Sequence, residues 1–206
     1  MAIKGLIFDY GGVLWDMRWD VSTELARSHG LDERAVVETL YANDTWRDIE
    51  IGIGDREAWL RESHAALETL AGRALPPLHQ HWRAEQRWIA PNIDLIRRLR
   101  PLYRTAVLSN ADHTLRARFE SAAGILDLFD DFVCSADVGM AKPDPRIYAL
   151  SAQRLGLPPE ECAFIDDLDR NIEAARAAGM HGVHFRLDQD HSLESQLADL
   201  GVTPMR

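Results

Sequence analysis

The sequence predicts an α/β fold: a doubly wound parallel sheet with a helical cap inserted after the first strand. Three observations predict it. Short apolar runs alternate with amphipathic stretches along most of the 206 residues, the pattern of strands joined by the helices that cover them. One long stretch, between Trp15 and Trp88, carries helix patterns and no convincing strand. Several of the apolar runs lead into polar groups, and in doubly wound sheets ligands bind beyond the carboxyl ends of the strands.

Five runs read as strands because they are short, rich in β-formers and separated by helical patterns: residues 3–8, 105–108, 132–134, 162–165 and 182–185. Within the insertion, a helix running through Leu25 to His29 stops at Gly30, and Asp32 is placed to cap the next. Asp55 caps a longer helix that carries Trp59, Leu60, Ala66, Leu67 and Leu70 and ends at Gly72. After the insertion, Pro91 opens a helix whose Ile93, Ile96 and Leu99 recur on one face. Asp144-Pro145 sets a capping residue before a first-turn proline, with Gly156 as the stop. Residues 171–178 are alanine-rich and end at Gly179.

Length and composition narrow the function. At about 150 residues per domain the chain holds one large domain, or one core with a smaller insertion. Lys and Arg number 23 against 33 Asp and Glu, a formal net charge of -10. That balance argues against nucleic-acid binding and against an anionic membrane surface. No apolar run approaches the roughly 20 residues of a membrane span. The stretch from Met1 to Phe8 is too short for a secretion signal. Cys134 and Cys162 lack CxxC spacing and read as buried free thiols of a cytoplasmic protein. Nothing in the sequence assigns an oligomeric state.

Four constellations carry chemistry. Leu6-Ile-Phe-Asp9-Tyr-Gly11-Gly12 puts an acid at the end of an apolar strand, before glycines whose N–H groups can approach an anion. Val107-Leu-Ser109-Asn110 ends a second strand in a hydroxyl and an amide. Lys142 stands just before Pro-Asp-Pro, a rigid helix start, where it could serve as a fixed counter-charge. Phe164-Ile-Asp166-Asp167-Leu-Asp-Arg-Asn171 sets two adjacent carboxylates at a strand end. Such carboxylates repel unless a cation joins them, and hard oxygen ligands suit Mg²⁺. Taken singly, each has an ordinary structural use: a turn cap, a turn former, a surface lysine, a solvated loop. Taken together they supply a nucleophile, a metal site and charge partners for a phosphate, the needs of phosphoryl transfer.

In order and wording these motifs resemble the haloacid dehalogenase (HAD) superfamily over nearly the whole chain. GMAKPDPRIY and IDDLDRNIEAARAAGM look most like the branch with bacterial sugar-phosphate phosphatases and the N-terminal phosphatase domain of soluble epoxide hydrolase. The resemblance implies a hydrolase core of residues 1–14 and 89–206 and a helical cap of 15–88. It implies Asp9 as nucleophile, with Gly12, Ser109, Asn110 and Lys142 on the phosphoryl oxygens. It implies Mg²⁺ on Asp9, the Gly11 carbonyl and Asp167, supported by Asp166 and Asn171. In one place the chain departs from the pattern. Most family phosphatases have a second Asp two residues after the nucleophile, as general acid for the leaving alcohol; here that residue is Gly11.

The expected activity is Mg²⁺-dependent hydrolysis of a small phosphomonoester, a sugar phosphate or similar metabolite, through an aspartyl-phosphate. A 2-haloacid dehalogenase is the alternative, since a departing halide needs no proton, although paired carboxylates would repel a haloacid. A catalytically quiet binding protein on the same fold is a third. The pairs His79/His81 and His181/His184 read as helix-surface and strand residues, because no Cys or further His joins them. The six tryptophans lie in or beside the insertion, mostly as its core, with Trp46, Arg47 and Glu50 as candidates to face the substrate.

Overall fold

The structure, a computed structural model, describes residues 2–188 and 192–205. Its centre is a parallel sheet of five strands: β1 (Gly5–Phe8), β4 (Arg104–Ser109), β5 (Asp131–Cys134), β6 (Cys162–Asp166) and β7 (His181–His184). Their order across the sheet is β5-β4-β1-β6-β7. Alternation within the strands fills two cores. Leu6, Phe8, Val107 and Ile165 face one side, packed by helices α6 (Ala90–Leu99), α7 (Leu115–Glu120) and α11 (Leu193–Asp199). Ile7, Leu108, Val133 and Phe164 face the other, packed by α9 (Pro145–Arg154) and α10 (Asp169–Ala177). A short helix, α8 (Ser135–Val138), follows β5.

The chain winds from β1 outward to β4 and β5, then returns to β6 and β7 on the opposite side. The direction therefore reverses at β1, and a crevice opens where neighbouring connections depart to opposite faces. Phe8 pairs with Val107 on one side and Ile165 on the other. That register brings the residues just beyond all three strands to one edge.

The insertion holds five helices: α1 (Trp19–Ser28), α2 (Ala35–Tyr41), α3 (Asp44–Glu50), α4 (Arg56–Ala71) and α5 (Leu78–Glu85). They bury a third apolar cluster around Trp59, Trp82, Leu40 and Leu67. Asp55 caps α4 as expected, its carboxylate accepting from the Glu57 and Ala58 N–H groups. Trp59, Ser63 and Leu67 form the buried stripe of that helix, whereas Leu70 is 63% exposed and Ala66 also lies outward.

Four details differ from the sequence-based expectation. The insertion is not strandless: β2 (Trp15–Asp16) and β3 (Arg87–Trp88) pair antiparallel where the chain leaves and re-enters the sheet. Asp32 does not cap α2; its carboxylate and carbonyl accept from Arg34 and Ala35 in the preceding turn. His79 is buried rather than on the helix surface, against Thr39 Oγ1 at 3.0 Å, and burial pushes its imidazole down to about 4. Arg47 is exposed and pairs with Asp44, away from the sheet edge. Elsewhere the predicted stops at Gly30, Gly72, Gly156 and Gly179 all carry positive φ. Cys134 and Cys162 are buried free thiols, and among the described residues no helix is long and apolar enough to cross a membrane.

Candidate active site

All four residues of β1 are buried, so the direction in which the chain leaves the sheet is set by a fully enclosed strand. Asp9 comes next, its N–H donating to the Ile165 carbonyl at 2.9 Å. Its Oδ1 accepts from the Tyr10 N–H at 2.7 Å and faces Lys142 Nζ at 2.9 Å. The same ammonium reaches Asp166 Oδ2 at 2.6 Å. One lysine, 4% exposed, therefore stands between two buried carboxylates.

Each partner is held in turn. The Asp166 carboxylate also accepts from the Leu168 N–H and from Asn171 Nδ2, which lies 3.1 and 3.0 Å from its two oxygens. The Asn110 side chain brackets the backbone of Lys142, accepting its N–H at 2.8 Å and donating to its carbonyl at 2.9 Å. Asn110, expected to grip phosphate, thereby fixes the lysine loop, and its amide also donates to Glu50 of the insertion at 3.1 Å. Ser109, buried at the end of β4, adds a hydroxyl that lowers the Asp9 carboxyl.

Asp167 has a different environment. Oxygens of Asp9, Asp166 and Asp167 come within 4.8 Å of one another, so three carboxylates share one ammonium. Burial, with Asp166 adding to it and Lys142 opposing, pushes Asp9 up to about 6. Burial and the charges of Asp9 and Asp166 push Asp167 up to about 7. Burial works against the Lys142 charge, but Asp166 and Asp9 outweigh it and hold the amine above its ordinary range. A hard divalent cation answers this surplus of negative charge, and an all-oxygen donor set suits Mg²⁺. Asn171 Oδ1 is buried and has no hydrogen-bond partner among the described residues.

Gly12 makes the close approach possible. Its φ is +77°, and a Cβ there would lie 2.3 Å from Asp167 Oδ2. Gly12→Ala is expected to lose about 1–3 kcal/mol in urea unfolding and to displace Asp167. Gly30→Ala carries similar strain, with φ +73° and nothing within 4 Å of the added carbon. It should lose stability while keeping the activity that Gly12→Ala loses.

Over this edge the insertion closes a cavity of about 270 Å³. Met17, Trp19, Val37, Tyr41 and Trp46 give it an apolar wall, and Glu50 reaches in from the end of α3. Asn43 fixes that helix by accepting the Trp46 N–H at 2.7 Å. Of the three insertion residues expected here, Trp46 and Glu50 line the cavity and Arg47 does not. Sequence reasoning did not single out Tyr10, Arg83, Gln86, Asp112 or Arg118, all of which line it. No motif joins these five; Tyr10 alone was adjacent to a marked residue.

A doubly wound sheet that gathers a strand-end carboxylate, a buried lysine and an acidic pair under a helical insertion has the equipment of an enzyme. Residues 3–179 match the haloacid dehalogenase-like hydrolase family, and the chain belongs to that family. It is 29% identical to fructose-1-phosphate phosphatase YqaB of Escherichia coli K12, over 89% of this chain and 96% of the relative. It is also 29% identical to phosphatase MT3486 of Mycobacterium tuberculosis, over 87% of this chain and 86% of that one. Among solved structures, the HAD family enzyme bt-2542 of Bacteroides thetaiotaomicron, in complex with magnesium and inorganic phosphate, superposes with a TM-score of 0.69 and 23% identity. That match covers 93% of this chain and 98% of the other. L-2-haloacid dehalogenase of Xanthobacter autotrophicus matches with a TM-score of 0.65 at 20% identity, over 98% and 85%. At these identities the two structures speak for the fold.

Proposed function

We propose that this hydrolase is a Mg²⁺-dependent phosphatase of a small phosphorylated metabolite, with residues 15–88 as a cap over a core of 1–14 and 89–206. The observation that carries the reading is the cluster itself: a strand-end Asp9, fixed by Lys142, beside an acidic pair that asks for a cation. The phosphatases among its relatives support it.

In this reading Asp9 attacks phosphorus in line with the departing alcohol, and the aspartyl-phosphate so formed is hydrolysed by water. Lys142 keeps Asp9 ionised and aimed, and with Ser109 takes the phosphoryl oxygens; the Gly12 N–H, also expected there, is given to the Trp15 carbonyl at 2.8 Å. Asn110 positions Lys142. Asp9, Asp167 and the Gly11 carbonyl would hold Mg²⁺, with Asp166 and Asn171 behind them. When bound, the ion supplies charge neutralisation for the phosphate approaching three carboxylates.

Chelation is expected to stop turnover and added Mg²⁺ to restore it. Asp167→Ala should raise the Mg²⁺ concentration for half-maximal activity by about 10- to 100-fold. Asp169→Ala, at an exposed carboxylate paired with His184, should change it far less. Gly11 favours a second reading, halide displacement from a 2-haloacid, which needs no proton donor. Release of halide from chloropropionate in the presence of chelator would establish it in place of the first.

A further inference from the structure

Beside the Asp9 cluster, the cavity has a second polar group of residues. Tyr10 is 5% exposed, its ring stacked on Trp15 at 5.6 Å and set against Phe119 at 5.5 Å. Its hydroxyl is buried, lies near the Arg118 guanidinium and completes no hydrogen bond of good geometry among the described residues. Gln86 Oε1 accepts from Trp15 Nε1 at 3.1 Å, which leaves a buried Nε2 likewise without a partner among the described residues. Buried polar atoms are rarely left unpaired, and both residues line the cavity.

Two arginines join them. Arg118 and Arg83 line the same cavity, and both charges act on the Tyr10 hydroxyl. Asp112 is the neighbouring acid, but its Oδ2 lies 3.3 Å from both Arg56 and Arg118. Its Oδ1 takes the amide and hydroxyl of Thr114. One carboxylate thus answers two guanidinium groups. Arg83 has no carboxylate within 4.0 Å among the described residues and lies 5.5 Å over the Trp59 ring. Glu50, the acid that the insertion contributes to the cavity, is engaged with Asn110.

Among the described residues the acceptors at this end are engaged, while Arg83, the Tyr10 hydroxyl and the Gln86 amide keep donors to offer; Arg118 shares Asp112 and reaches Thr114 Oγ1 at 3.1 Å. A polyol, whose hydroxyls both give and take hydrogen bonds, would find few acceptors left. A group that only accepts, with negative charge to match the guanidinium surplus, fits what remains.

We propose that this end of the cavity is an anion subsite, in which Arg83, Arg118, the Tyr10 hydroxyl and the Gln86 amide hold a carboxylate or second phosphate carried by the leaving alcohol. The inference rests on the phosphatase reading and narrows it to phosphomonoesters bearing a second anion.

The test compares kcat/KM for phosphate esters of hydroxypropionate, propanediol and propanol, with their longer-chain analogues and the corresponding bisphosphates. At the best chain length an anionic ester should exceed its neutral counterparts by about tenfold or more, the scale of one charge-assisted hydrogen bond. Which anion wins separates carboxylate from phosphate. Arg83→Gln should erase that ratio, Arg83→Lys should retain part of it, and Tyr10→Phe, which removes one oxygen, should reduce it. Calorimetry with phosphonopropionate, propylphosphonate and propylenediphosphonate reads the same preference without turnover. Equal kcat/KM for anionic and neutral esters, or a ratio that survives Arg83→Gln, overturns the subsite. Preferential binding of the anionic phosphonates to a protein that hydrolyses no phosphate ester would uphold the subsite and overturn the phosphatase reading alone.

Discussion

Asp9→Asn is expected to give a folded protein that hydrolyses para-nitrophenyl phosphate about 10⁴-fold or more slowly, the scale on which enzymes lose a nucleophile. An amide has the shape of the carboxylate, and its oxygen can still accept the Tyr10 N–H that Asp9 holds at 2.7 Å. Lys142 keeps Asp166 at 2.6 Å, so no buried ammonium is stranded. Three mutually repelling carboxylates become two, which removes a destabilising contribution. The melting temperature should therefore hold or rise as turnover disappears. Activity near that of the unmodified protein would sink the assignment of Asp9.

The second large effect is expected at Gly11. With no acid side chain two residues after Asp9, the leaving alcohol departs without a proton from this position. Rates should then climb steeply with leaving-group acidity, and aryl phosphates should outrun alkyl ones. Gly11→Asp should raise the alkyl-to-aryl ratio of kcat/KM by about 10²-fold, the lower end of what a positioned general acid contributes. The backbone permits the change. Gly12 has a positive φ and Gly11 does not, and a Cβ on Gly11 would meet only Met17, at 3.5 Å from Sδ and 3.7 Å from Cγ. If the unmodified protein already hydrolyses alkyl phosphates as fast as aryl ones, another group supplies the proton. Glu50, whose carboxyl burial raises above its ordinary range, is then the side chain to replace.

The strand ends were legible in the sequence because a buried parallel strand is a short apolar run, and the residues just past its carboxyl end face the ligand. Asp9, Ser109 and the acidic pair could be placed by that rule alone. The bracket of Asn110 around Lys142 could not, because it joins residues 32 apart through backbone groups that every residue possesses. Likewise the Arg83, Gln86 and Arg118 wall is assembled across two helices and the start of a ribbon, with no spacing to mark it. The two-residue strands β2 and β3 are too short for periodicity. His79 looked like a surface residue because burial of an imidazole depends on finding a partner such as Thr39, and that partner is 40 residues away.

The insertion leaves the sheet and returns to it side by side, with Trp15 opposite Trp88 and Asp16 opposite Arg87. A segment tethered at two adjacent points can be lengthened, trimmed or traded for another without forcing the strands it interrupts to move. Heredity can then treat the two halves of the cavity separately. Asp9, Lys142 and the acidic pair are encoded outside the tethered segment, whereas Trp19, Tyr41, Trp46 and Arg83 are encoded within it. A recombination event bounded by the ribbon would exchange most of the cavity's apolar wall and leave the cluster around Asp9 untouched.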